Sequence, residues 1–75
     1  MSAKEMFEKL GYKYIENDRG IVYSKSNNDS KLFIAFNKES KSVFKDDIKF
    51  VSYDIDMQEL KAINQQVKEL GWLDE

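Results

Sequence analysis

Lys31-Leu32-Phe33-Ile34-Ala35-Phe36-Asn37 is the stretch on which the fold turns. It holds the longest apolar run in the chain, and it is bounded by polar, turn-forming residues on both sides. Five apolar residues are far too few to cross a membrane, and the aromatic and β-branched content favours a strand over a helix. Successive side chains of a strand point to opposite faces, so Leu32, Ile34 and Phe36 share one face while Phe33 and Ala35 share the other. The stretch is read as one strand of a sheet, and the rest of the chain is read outward from it.

Reading outward supplies the other strands. Upstream, Tyr12 to Glu16 and Ile21 to Lys25 are β-rich runs separated by Asn17-Asp18-Arg19-Gly20, whose residues favour turns and whose Gly20 tolerates positive φ. These form a hairpin that reaches Lys31 through the polar loop Ser26-Asn27-Asn28-Asp29-Ser30. Downstream, Asn37-Lys38-Glu39-Ser40 turns the chain into a strand at Lys41 to Lys45, and Asp46-Asp47 turns it again into Ile48 to Tyr53. The expectation is an antiparallel meander of four or five strands.

Both ends read as helices. Ser2-Ala3-Lys4-Glu5 is a capping box, with Ala3, Met6, Phe7 and Leu10 along one face and Gly11 as the stop, which predicts a helix over 3–10. Asp56-Met57-Gln58-Glu59 is a second capping box, followed by Leu60, Ile63, Val67 and Leu70, which predicts a helix over 57–70. Gly71 and Trp72 stand at the positions of a Schellman ending, and Leu10-Gly11-Tyr12 repeats the Leu-Gly-aromatic signal of Leu70-Gly71-Trp72. The fold class is therefore α+β: a four- to five-stranded antiparallel meander with a short N-terminal and a longer C-terminal helix packed on one face. At 75 residues it makes a single domain over 1–75. A chain this short buries only about 60% of its unfolded surface.

Composition narrows the chemistry. Cysteine and histidine are both absent, which removes thiolate nucleophiles, imidazole bases, disulfides and the usual zinc sites. No cofactor is expected. Net charge is −2, distributed as 0 over residues 1–20, +2 over 21–53 and −4 over 54–75, which suggests an acidic C-terminal helix beside a mildly basic sheet. With no secretory segment and no membrane-length run, the expected location is the cytoplasm, without membrane association.

The residues 3–12, Ala-Lys-Glu-Met-Phe-Glu-Lys-Leu-Gly-Tyr, and 59–72, Glu-Leu-Lys-Ala-Ile-Asn-Gln-Gln-Val-Lys-Glu-Leu-Gly-Trp, resemble the two ends of small uncharacterised proteins encoded by phages and prophages of Gram-positive bacteria. Between them only the strand-turn-strand run ending in Glu39-Ser40-Lys41-Ser42-Val43 is similar. The resemblance implies the host cytoplasm and an accessory role in phage or prophage biology. It implies no catalytic residues.

Four groupings remain as candidate sites. Phe33, Phe44, Val51 and Tyr53 would lie on the sheet face opposite the helices and form an apolar patch, which marks a protein interface. The partner would be a phage or host protein, or a second copy compensating for the small core. Lys31, Phe33, Lys41 and Phe44 would give the same sheet a basic, aromatic character suited to weak single-stranded nucleic-acid binding. That alternative is the weaker one, because Arg19 is the only arginine and no ribonucleoprotein motif is present. Asp54, Asp56 and Glu59 have carboxylates at a spacing that suits a hard cation, but they equally suit a helix N-terminus, and no calcium-loop glycine accompanies them. Tyr12, Tyr14, Tyr23 and Tyr53 beside Glu16 or Glu59 lack any nucleophile or base arrangement, so a non-catalytic role is expected.

Overall fold

The computed structural model describes residues 1–26, 31–47 and 55–73. The chain runs α1 (Ala3–Lys9), β1 (Lys13–Asn17), β2 (Gly20–Ser26), β3 (Lys31–Asn37), β4 (Ser42–Asp47) and α2 (Met57–Glu69). The strands form one antiparallel sheet in the order β1-β2-β3-β4, a plain meander with both helices on one face. The expected α+β architecture is the observed one. Ile48 to Tyr53, read as a fifth strand, lies outside the described residues, and with it Val51 and Tyr53.

Both helices begin and end as their sequences dictate. Ser2 Oγ accepts from the backbone N–H of Glu5, and the Glu5 carboxylate accepts from the N–H of Ser2 at 2.9 Å. Asp56 and Glu59 repeat the exchange at the start of α2. At the far ends the N–H of Tyr12 reaches the carbonyl of Phe7 and that of Gly11 reaches Glu8. Trp72 and Gly71 do the same to Val67 and Lys68. These are paired Schellman motifs, with Gly11 (φ 94°) and Gly71 (φ 77°) in the left-handed conformation the motif requires.

The core forms where α1 meets the sheet. The Phe7 ring stacks on Tyr23 with centroids 3.9 Å apart and meets Tyr12 and Phe36 edge-on at 5.6 and 6.1 Å. Ile21, Ile34, Ala62 and Ile63 complete the buried cluster. The two helices pack on each other in opposite directions, and the backbone N–H of Ala3 donates to the Glu69 carboxylate at 2.8 Å, tying the start of α1 to the end of α2.

Three local readings are corrected. Asp46-Asp47 is not a turn: β4 continues through both residues, which pair with Phe33 and Leu32, because β3 offers backbone partners along its whole length and ladder hydrogen bonds outweigh the turn preference of aspartate. Lys41 is not in a strand. It closes the β3–β4 turn at φ 53°, after the Asn37 side chain has accepted from the N–H groups of Glu39 and Ser40. The buried stripe of α2 is also rotated from the predicted one: Glu59, Ala62, Ile63 and Gln66 are buried, whereas Leu60 remains 40% exposed and Val67 and Leu70 are half-buried.

That rotation follows from polar groups on the sheet. The Tyr12 hydroxyl donates to Glu59 at 2.5 Å and the Tyr23 hydroxyl to Gln66 at 2.5 Å. Lys45 on β4 donates to the other Glu59 oxygen at 2.9 Å, and the side chains of this pair are each only 10% exposed. A buried phenol needs an acceptor and a buried ammonium needs a carboxylate. Turning α2 toward Leu60 would carry Glu59 and Gln66 away from the two phenols.

Candidate functional site

With both helices on one face, the other face of the sheet has no second layer among the described residues. The hairpin register sets which side chains it shows. Asn17 pairs with Gly20, so Ile15 stands opposite Val22, Val22 opposite Ala35, and Ala35 opposite Phe44. The result is a row of four apolar residues crossing all four strands. Its two ends are open, with Ile15 48% and Phe44 56% exposed, while Val22 is half-buried and Ala35 is buried between its neighbours.

The flanking rows are polar apart from one aromatic. Lys13, Ser24, Phe33 and Asp46 lie on one side, Asn17, Gly20, Asn37 and Ser42 on the other. Phe33 is half-buried, with the Lys31 ammonium 5.5 Å from its ring centre in a cation–π contact. A depression of about 230 Å³ opens beside Phe44, bordered by Asn17, Arg19, Val22 and Asn37 and floored by Gly20 and Ala35. At Gly20 (φ 155°), one of its lining residues, a Cβ would stand 1.9 Å from the carbonyl oxygen of Phe36. No larger residue fits there.

Phe33 and Phe44, both predicted for this face, are therefore brought together on it as diagonal neighbours, one on β3 and one on β4. Val51 and Tyr53 fall outside the described residues. Of the nucleic-acid grouping, Lys31, Phe33 and Phe44 share the face, but Lys41 sits in the turn at the opposite end of β3 from Lys31. Seven strand residues separate the two lysines by roughly 20 Å. The sequence reading missed Ile15, Val22 and Ala35 as members of this patch; the two-residue loop at Asp18-Arg19 signals that Ile15 stands opposite Val22, while their alignment with Ala35 and Phe44 depends on the other two strand pairs.

The carboxylate grouping is taken apart. Asp56 caps α2, Glu59 is held inward by Tyr12 and Lys45, and Asp54 lies outside the described residues. Among the described residues no three acidic side chains gather where a metal would need them. Tyr14 and Glu16, one strand position apart on the helix-facing side, do meet: the hydroxyl donates to Glu16 at 2.8 Å, and Lys38 pairs with the other oxygen at 3.2 Å. This bond holds the Glu16 carboxyl below its ordinary range and pushes the Tyr14 hydroxyl up. Both directions make the pair a weaker base and a weaker acid near neutrality. Burial pushes the Tyr12 and Tyr23 hydroxyls up as well, with the Glu59 bond adding to the effect on Tyr12.

Among the described residues no helix is long and apolar enough to cross a membrane. No protein-family model, curated protein or solved structure matches the chain.

Proposed function

We propose that the chain is a non-catalytic protein–protein interaction module whose contact surface is the outer sheet face, acting by stoichiometric occlusion or scaffolding in a phage or prophage setting. The observation that supports this reading is the apolar row Ile15-Val22-Ala35-Phe44, open at both ends and backed by a rigid four-stranded ladder. Withdrawing such side chains from water contributes about 25 cal/mol per Å² of apolar surface. Four strands about 4.8 Å apart and about 20 Å long give a flat footprint of roughly 300 Å². A standard interface buries about 800 Å² on each partner, so this contact belongs to the transient class unless the partner also wraps an edge. The fitting partner is a protein surface that is apolar and weakly charged, since Lys13, Lys31 and Asp46 leave the face with little net charge.

Capture from host lysate with and without nuclease, comparing wild type with Phe44→Asp, tests the reading. A protein partner retained after nuclease treatment and lost in the variant is the expected result. Recovery abolished by nuclease would transfer the face to single-stranded nucleic acid through Lys31, Phe33 and Phe44, and recovery unaffected by Phe44→Asp would remove the face from the interaction altogether.

A further inference from the structure

The helical side of the molecule carries a second surface with a different chemistry. Two depressions of about 320 and 540 Å³ lie along the α1–α2 seam and share Met6 and Lys61, so they form one groove. Its apolar lining includes Met6, Leu10 and Leu73, the last 63% exposed, and among the described residues every charged one that lines it is a lysine: Lys9, Lys61 and Lys68. The remaining lining is Met1 and three side-chain amides. None of the three lysines makes an ion pair among the described residues.

This basic character is contrary to the −4 carried by residues 54–75. The two acidic residues within α2 have other partners: Glu59 faces Tyr12 and Lys45, and Glu69 spans the seam to the backbone N–H of Ala3 and accepts from Gln65. Asp56 is held in its cap, and Glu5, one turn before Lys9, in the box with Ser2. The charged side chains with which α2 lines the groove are Lys61 and Lys68.

We infer that the α1–α2 groove docks an acidic amphipathic helix of a partner protein. The form of the groove favours a helix: it is shallow and open, follows α2 from Gln58 and continues past its end to Leu73, and is lined by the thioethers of Met1 and Met6, which adapt to irregular apolar knobs. Twelve of these residues, from Gln58 to Glu69, are helical and rise about 18 Å, room for roughly three turns of a bound helix. Lys61 and Lys68 are seven residues apart, about 10 Å along the axis, which matches carboxylates at i and i+7 of the ligand. Opposite charge then sets register and speeds encounter, while the leucine and methionine contacts hold the complex. A lipid surface would require a convex apolar face, and a nucleic acid a denser field than three lysines on a chain of net charge −2. This surface is separate from the outer sheet face, and either can hold without the other.

The test is an NMR titration of the whole chain with a designed three-turn peptide carrying leucine on one face and glutamate elsewhere. The same peptide with lysine for glutamate, and phosphatidylcholine–phosphatidylserine vesicles, serve as comparison probes. Amide shifts confined to the neighbourhood of Met6, Lys9, Leu10, Lys61 and Lys68 are expected with the acidic peptide alone. The variant Lys61→Glu/Lys68→Glu, both positions exposed, is expected to keep the wild-type melting temperature and to weaken the peptide by about tenfold or more. Equal binding of the basic peptide, preferential binding of vesicles, shifts centred on the sheet, or no shifts at any soluble concentration of the acidic peptide would each overturn the inference.

Discussion

Glu59 joins three parts of the molecule: its backbone and carboxylate exchange bonds with Asp56 at the start of α2, Tyr12 approaches one oxygen from before β1, and Lys45 approaches the other from β4. Removing the charge while keeping the shape isolates the pair. In Glu59→Gln the bonds that Tyr12 and Lys45 make to a carboxylate lose their charge at a site where the Lys45 and Glu59 side chains are each only 10% exposed, which costs about 1.5–3 kcal/mol. Against a total stability of roughly 3–5 kcal/mol for a core this small, that is a large part of the margin. Urea unfolding is expected to show the variant largely unfolded at low denaturant, while Lys45→Met/Glu59→Leu recovers a good part of the loss by replacing charges with packing. A Glu59→Gln midpoint equal to wild type would show the pair to be energetically idle. The sequence reading placed Glu59 in its capping box but not in the interior, since charged residues are rarely buried. The available signal was in its partners: Tyr12 and Tyr23 next to apolar strand positions require acceptors, and Glu59 and Gln66 are seven residues apart on one helix face.

At the scale of elements, the capping boxes, both glycine stops and the pattern of β3 were legible because each rests on bonds within a few residues of sequence. Two features were not. The extension of β4 through Asp46 and Asp47 depends on β3 as a partner, and the rotation of α2 away from Leu60 depends on hydroxyls from β2 and the β1 approach, both distant in sequence. The helix stops give a clean prediction. Gly11→Ala and Gly71→Ala each force a Cβ into the left-handed region, at about 1 kcal/mol apiece. Because the two caps share no partner, the double variant should lose close to the sum in chemical denaturation. The space beside Gly11 holds only the flexible Lys25 side chain at 3.5 Å, so the cost there is conformational rather than steric. Unchanged stability in either single variant would mean that its helix ends without needing the left-handed residue.

For the molecule as a whole, alkaline pH probes the same core. Burial raises the hydroxyls of Tyr12 and Tyr23 above the usual tyrosine value near 10. Between that value and their raised folded values the unfolded chain releases protons that the folded chain retains. Stability therefore falls as pH climbs above about 10, and these two groups contribute no pH dependence below it. Thermal melts across that range should show a drop that is reduced in Tyr12→Phe/Tyr23→Phe, and identical profiles for the two proteins would contradict the assignment. The outer sheet face was legible in part: Phe33 and Phe44 follow from alternation, whereas the row through Ile15, Val22 and Ala35 needs the register of three strand pairs. Phe44 is more than half exposed and makes no part of the core cluster, so the fold does not depend on it. The most direct measurement pairs thermal unfolding with partner capture for Phe44→Asp. A melting temperature equal to wild type with capture abolished is the predicted result; a collapsed melting temperature, or full capture by the folded variant, would contradict the claim that this face is the interaction surface.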